Sequence, residues 1–212
     1  MREGPPSRSA RTRASYDAIA ERFRERTSDR TRMAERADRF ADRVGRGGLV
    51  LDVGAGPGAD SAELRARGLR VISVDLSLGM LRAGLRDYPG LRVQADMTCL
   101  PFGPVAAGLW VNASLLHLPR ERVPAALQEL RRVLVPPAVL HVSVKLGTRD
   151  GWETARYGEA HPRWFTYFTP ETLDRALALA GFRILEAELS EGPHDRWLVR
   201  TCQAKLQASE VP

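Results

Sequence analysis

Apolar and polar residues follow two different periods along this chain. Short apolar runs occupy 49–53, 69–74, 91–95, 108–111 and 139–144, lengths suited to buried strands. Between them, 59–67, 77–86 and 120–134 carry helical spacing. Short buried strands alternating with helices predict a parallel sheet covered on both faces. The chain closes differently: 182–189 and Arg196–Ala204 read as strands joined across Glu191-Gly192-Pro193-His194. A connection that short makes the last strand antiparallel to its neighbour. Upstream of the alternation, Tyr16, Ile19, Ala20 and Phe23 form one helical stripe, and Met33, Ala34, Phe40 and Ala41 suggest a second helix beyond a break at Ser28-Asp29. Gly45 to Gly48 then punctuates the chain.

Composition adds three constraints. The 212 residues, 43% of them hydrophobic, suffice for one well-cored domain. No run approaches the roughly 20 apolar residues of a membrane span, and the N-terminal MREGPPSRSARTR has no apolar segment behind it, unlike a secretory signal. The expectation is a cytoplasmic protein with two reduced thiols, Cys99 and Cys202, and no metal site, since neither cysteine sits in a CxxC pair.

The net charge of +6 changes the picture less than it first suggests. Residues 1–46 hold 13 arginines against 8 acids, whereas the rest of the chain is close to neutral. Acids alternate with arginines in that segment, as on a solvated helix. A nucleic-acid partner is therefore not expected, although an arginine-rich arm engaging RNA or protein is a rival reading.

The chemistry concentrates at the strand ends. The first strand runs into Asp52, followed by Gly54, Gly56 and Gly58 and then a helix. Glycines permit positive φ and close backbone approach to a ligand, and the N–H groups of the following helix point back at the turn. In an open α/β sheet, ligands lie in the crevice beyond the strand ends. The turn also satisfies the looser dinucleotide pattern G-x-G-x-x-A, so a nicotinamide cofactor is a competitor. Three acids argue otherwise. Asp52 before the glycines suits ammonium and sulfonium charges rather than a pyrophosphate; Asp75, ending the second strand, suits two ribose hydroxyls; Asp96-Met97, ending the third, suits an adenine edge.

Taken in order, LDVGAGPGAD, VISVDLSLGML, VQADMTCLPF and VNASLLHLPR resemble the class I S-adenosylmethionine-dependent methyltransferases, in particular the bacterial type 11 group, over about residues 14–203. The resemblance implies an α/β, Rossmann-like seven-stranded sheet, mostly parallel with the last strand antiparallel, helices on both faces, and an N-terminal helical lid. Residues 1–13, rich in Pro, Ser and Arg with too little apolar surface to pack, read as a disordered basic arm, and the aromatic stretch 147–168 as an insertion; the resemblance makes 14–46 the lid and 47–206 the cofactor-binding domain. It implies S-adenosyl-L-methionine as cofactor and S-adenosyl-L-homocysteine as product. The methionine part would lie on Asp52, Gly54, Ala55, Gly56 and Gly58. Asp75 would hold the ribose, with Leu76 and Met80 beside the nucleoside, and Asp96 and Met97 would meet the adenine. Asn112 and Ala113 would border the sulfur, and Tyr16, from the lid segment Ser15-Tyr16-Asp17, would reach the cofactor carboxylate. One departure is Val135-Pro136-Pro137-Ala138, where relatives commonly carry a Gly-rich turn.

Methyl transfer from a sulfonium is an in-line displacement, so the protein mainly aligns the nucleophile and excludes water. His117, close after the fourth strand, is the candidate base, since an ordinary imidazole titrates near neutrality. The insertion supplies Trp152, Tyr157, Arg163, Trp164 and Tyr167 as a candidate substrate wall, because loops of such aromatic density commonly cover a site. The expected substrate is a small-molecule acceptor through O, N, S or C, the expected protein a monomer or homodimer. A cofactor-binding cyclase or decarboxylase on the same fold is the alternative from another class.

Overall fold

The computed structural model describes residues 6–26, 33–192 and 194–205. The expected break at Ser28-Asp29, residues 1–5 of the arm, Pro193 and Leu206 lie outside the described residues. Helices α1 (Arg8–Arg26) and α2 (Ala34–Val44) precede β1 (Leu49–Val53), α3 (Ala59–Ala66), β2 (Arg70–Asp75), α4 (Leu78–Ala83), β3 (Leu91–Gln94) and β4 (Ala106–Asn112). Then follow α5 (Val123–Arg132), β5 (Leu134–Lys145), β6 (Asp150–Glu153), β7 (Arg163–Thr166), α6 (Pro170–Leu179), β8 (Phe182–Glu191) and β9 (Arg196–Ala204).

Seven strands form one sheet in the order β3-β2-β1-β4-β5-β9-β8. Neighbours from β3 to β5 pair in parallel, and β9 runs antiparallel to both β5 and β8. This is the expected sheet, with its final strand reversed. The strand alternation sorts side chains onto two cores. Leu51, Val53, Leu109 and Val111 face α5 and α6, meeting Leu127, Leu130, Leu173 and Leu177. Val50, Val71 and Trp110 face the other way, onto Ala37 and Phe40 of α2 and Leu64 of α3.

Local chemistry sets the boundaries. Thr169 caps α6 reciprocally with Thr172, and Pro170 occupies its first turn, where a missing N–H costs nothing. The stretch 120–134 begins as a 3-10 turn at Arg120–Arg122 before α5 proper. Val135 to Ala138 belongs to β5 rather than to a loop, and the register against β4 shifts there, between Ala106 and Gly108.

Two expectations are corrected. The arm expected to be disordered through residue 13 is helical from Arg8 onward. Composition undercounted its anchorage because the anchors are polar. Thr12 Oγ1 accepts from the Trp164 N–H at 3.0 Å, and the Ser15 hydroxyl donates to the Pro162 carbonyl at 2.6 Å. Arg8 and Arg11 lie over the rings of Trp164 and Trp152, at 4.4 and 4.8 Å from their centroids. The second concerns the aromatic insertion, which is a two-stranded hairpin of β6 and β7 rather than a loop, and α1 packs against β7 as well as against α4.

Candidate active site

The sheet changes direction of growth between β1 and β4: successive parallel strands are laid to one side of β1 up to β3, then to the other side beginning with β4. At such a switch point the loops beyond the strand ends splay apart and leave a crevice. A cavity of about 170 Å³ opens there. The turns after β1, β2, β3 and β4 wall it, and α1 covers it with Ser9, Thr12, Arg13, Tyr16 and Phe23.

Gly54 shows why the turn after β1 is glycine. Its φ is +80°, and a Cβ built there would stand 2.1 Å from the Cβ of Ser114. Any side chain would therefore close the junction between β1 and β4. The Ser114 hydroxyl donates to the Val53 carbonyl at 2.7 Å, tying the two loops together. Gly58, at φ +98°, serves the start of α3 instead and does not line the cavity.

Asp75 is the organising acid of the rim. Its Oδ2 accepts from the Gly56 N–H and its Oδ1 from the Ser77 N–H, both at 2.8 Å. Burial pushes its pKa up to about 6, with the nearby Asp17 adding to the rise and the two N–H donors opposing it. Asp17 of α1 accepts from the Ser77 hydroxyl at 2.6 Å and the Gly79 N–H at 2.8 Å, so the same loop anchors the covering helix. Asp96 behaves differently. Burial raises its pKa, but hydrogen bonds from the Thr98 N–H and hydroxyl and from Arg122 outweigh that and hold it below the ordinary carboxylate value. Arg122 also donates to Ser9 of α1, at 3.2 Å, joining this acid to the cover.

On the opposite wall, the Nδ1 of His117 lies 2.8 Å from the Trp164 carbonyl and its Nε2 lies 2.7 Å from the Tyr16 hydroxyl. A carbonyl only accepts, so Nδ1 carries the proton and Nε2 accepts from Tyr16. Burial pushes the His117 pKa down to about 3, and the charges of Arg163 and Lys145 add to the effect. The ring therefore does not titrate near neutrality, contrary to the sequence expectation. Burial likewise pushes the Tyr16 hydroxyl up to about 12. The pair is neutral and its proton is localised.

Of the residues singled out from sequence, Tyr16, Gly54, Ala55, Gly56, Asp75, Leu76, Met80, Asp96, Met97, Asn112, Ala113 and His117 all line this one cavity. Asp52 does not. It lies buried beneath α3, where its Oδ2 accepts from the Ser61 hydroxyl at 2.6 Å. None of the five proposed substrate-wall residues lines it either. Tyr157 and Arg163 are buried under α1, the guanidinium 4.9 Å from the Tyr157 ring centroid and 5.6 Å from that of Tyr16. Trp152 and Trp164 stack outside with Arg11 and Arg8, while Tyr167 donates its hydroxyl to Glu153. All of them but Tyr167 meet side chains of α1 and hold the cover down.

Sequence reading also passed over Asp60. It lies in the first turn of α3, lines the cavity, and accepts on Oδ2 from Trp110 Nε1 at 3.0 Å and Asn112 Nδ2 at 2.8 Å. The available signal was its position directly behind the glycine turn, where a helix presents its first residues to the crevice. Among the described residues there is no cluster of His, Cys, Asp or Glu able to hold a metal, and no helix long and apolar enough to cross a membrane.

Comparison with known proteins agrees with this architecture. Residues 50–137 match a family model described as a methyltransferase domain. Demethylmenaquinone methyltransferase of Mycobacterium tuberculosis is 39% identical over 103 residues, which is 48% of this chain and 42% of the relative. The chain thus spans well under half the length of that relative. Among solved structures, 1,6-didemethyltoxoflavin-N1-methyltransferase of Burkholderia thailandensis, bound to its substrate and S-adenosylhomocysteine, superimposes with a TM-score of 0.77 at 22% identity. That match covers 96% of this chain and 93% of the other. The cyclase SpnF superimposes with a TM-score of 0.75 at 18% identity, covering 97% and 98%.

Proposed function

We propose that this protein is a class I methyltransferase that transfers a methyl group from S-adenosyl-L-methionine to a small molecule, a reading supported by the methyltransferase-domain match at residues 50–137 and by the shared fold. The observation that carries the reading is the rim itself. A glycine turn at the β1–β4 switch point has its Gly56 N–H bonded to a carboxylate at the end of β2, and both face one covered cavity.

The residues fit the cofactor's parts. Asp75 keeps acceptor capacity beyond its two N–H partners, and a carboxylate with spare lone pairs suits vicinal ribose hydroxyls. Leu76 and Met97 offer apolar faces to a flat base, with Asp96 at its edge. The glycine turn leaves room for the aliphatic part beside Asn112 and Ala113. When bound, the cofactor supplies an electrophilic methyl on a positively charged sulfur.

Tyr16 and His117 are then positioning groups. Because Nε2 already accepts from Tyr16 and the ring stays neutral, His117 orients the Tyr16 oxygen toward the cavity rather than removing a substrate proton. Without a strong base, the acceptor must be nucleophilic or acidic in its own right: a phenol, an amine, a thiol or an activated carbon. A flat ring as acceptor suits the reading, as in the relative named for demethylmenaquinone and the solved structure named for 1,6-didemethyltoxoflavin. The helical cover restricts the opening and disfavours a long polymer.

The test has two steps. Calorimetry should show micromolar or tighter binding of S-adenosylhomocysteine and no binding of a nicotinamide dinucleotide; the reverse preference refutes the cofactor. Radiolabelled methyl transfer should then be screened across phenols, quinols, amines and nitrogen heterocycles. If the cofactor binds but no acceptor yields S-adenosylhomocysteine, the non-methylating reading, favoured by the similarity to a cyclase, takes precedence.

A further inference from the structure

We propose that Asp60 is the carboxylate that receives the α-ammonium group of S-adenosylmethionine, the role that the sequence pattern alone assigns to Asp52. This rests on the cofactor reading above and deepens it. The strand order fixes which end of the cofactor lies where. Asp96 and Met97 stand beyond β3, Asp75 ends β2, and the glycine turn follows β1, so on that reading base, ribose and methionine part follow in that order along the rim. The next strand is β4. The amino-acid end of an extended cofactor then lies between the glycine turn and the Asn112–Ser114 segment, and Asp60 is the carboxylate that lines the cavity beside both.

The carboxylate is held for such a task. Its Oδ2 accepts from the indole N–H of Trp110 and the amide of Asn112. The Asn112 amide is itself oriented, since its Oδ1 accepts from the Ser143 hydroxyl at 2.5 Å, and that hydroxyl in turn accepts from the Ala113 N–H at 2.9 Å. Every member of this chain points a donor toward Asp60. Trp110 cannot rotate away, being stacked on His141 at 3.8 Å and met edge-on by Phe40. The donors on Oδ2 are the neutral N–H groups of Trp110 and Asn112, and they fix the orientation of the carboxylate. A group so fixed can meet a cation with little reorganisation. Asp52 has no such outlook: it lies one residue inside the end of β1, roofed by Ser61 of α3 and absent from the cavity lining.

Asp60→Asn keeps an acceptor for Trp110 and Asn112 while removing the charge. Calorimetry should compare three ligands on wild type and variant: S-adenosylhomocysteine, its α-deamino analogue, and 5′-methylthioadenosine, which lacks the amino-acid end. Wild type should bind S-adenosylhomocysteine at least tenfold more tightly than the deamino analogue. In Asp60→Asn that preference should collapse to within about threefold, with 5′-methylthioadenosine affinity unchanged. A preference retained in the variant, or equal losses for all three ligands, overturns the proposal. If the variant does not fold, Asp60→Ser takes its place in the same comparison, and a wild type with no preference for the ammonium overturns the idea unaided. Wild type that binds neither S-adenosylhomocysteine nor 5′-methylthioadenosine refutes the cofactor reading instead.

Discussion

Lowering the pH from 7 to 5 should destabilise the ligand-free protein by roughly 2–3 kcal/mol, and two buried histidines should be the reason. His117 and His141 both ionise at about 3 in the folded chain, driven down by burial, against an ordinary value of 6.5. Between those values the unfolded chain binds protons that the folded chain refuses. Stability from each ring is therefore intact above 6.5 and falls as the pH drops toward 3. Over the step from pH 7 to 5, linkage gives a loss of about 2 kcal/mol per ring, or roughly 4 kcal/mol together. Asp75 works the other way. Its folded value of about 6 exceeds the ordinary 3.8, so the folded chain takes up the extra proton and regains roughly 1 kcal/mol over the same step. Glu129 and Glu188, held low by Arg132 and Arg36, yield their share mainly below this window. For a chain of this size the net corresponds to a melting-temperature drop of about 5–10 °C. Thermal melts followed by circular dichroism at the two pH values measure it. In His141→Asn the pH-dependent loss should shrink to under about 1 kcal/mol. An unchanged or higher melting temperature at pH 5 in the wild type would refute the reasoning, as would an undiminished loss in the variant.

Cofactor affinity should follow Asp75 ionisation: because its pKa stands at about 6, S-adenosylhomocysteine binding should weaken several-fold from pH 7 to 5.5. Asp75→Asn should bind weakly at both pH values, and a wild-type affinity flat across that range would separate Asp75 from the ribose. The cover should loosen when its cationic anchors go. Arg8→Ala with Arg11→Ala removes two cation–π contacts worth about 0.5–1 kcal/mol each at exposed sites. Amide exchange within α1 should then quicken by about tenfold while the central strands stay protected; equal protection in variant and wild type counts against the anchoring role.

The sheet was legible because period and punctuation agreed. Buried strands such as β1 and β4 are nearly continuous apolar runs, and the glycines at 45–48 and 54–58 mark where the chain turns. The helical arm from Arg8 was not, since apolar surface is what composition measures and this segment docks through serine, threonine and arginine. The hairpin of β6 and β7 was hidden for a related reason. Its aromatics read as a substrate wall, yet their faces are occupied by arginines: Arg8 on Trp164, Arg11 on Trp152, Arg163 on Tyr157. An aromatic cluster opposite an arginine-rich helix is as much a clasp as a pocket, and sequence alone does not say which helix lies opposite.

The acids show where pattern reading stops and geometry begins. Asp52 and Asp75 look equivalent in sequence, each near the end of an apolar strand. Asp75 is the last residue of β2, so its side chain faces the turn, and two N–H groups hold it at the rim. Asp52 is one residue short of the end of β1, with strands paired on both sides at Ser73 and Trp110 and α3 above it. One position along a strand separates a side chain on the cavity from one beneath a helix. The residue that does reach the cavity from that side, Asp60, comes from the first turn of α3, across the glycine turn from Asp52. The glycine turn thus does more than make room for a ligand. By sending the chain back over β1, it buries one carboxylate under the helix and carries another to the crevice.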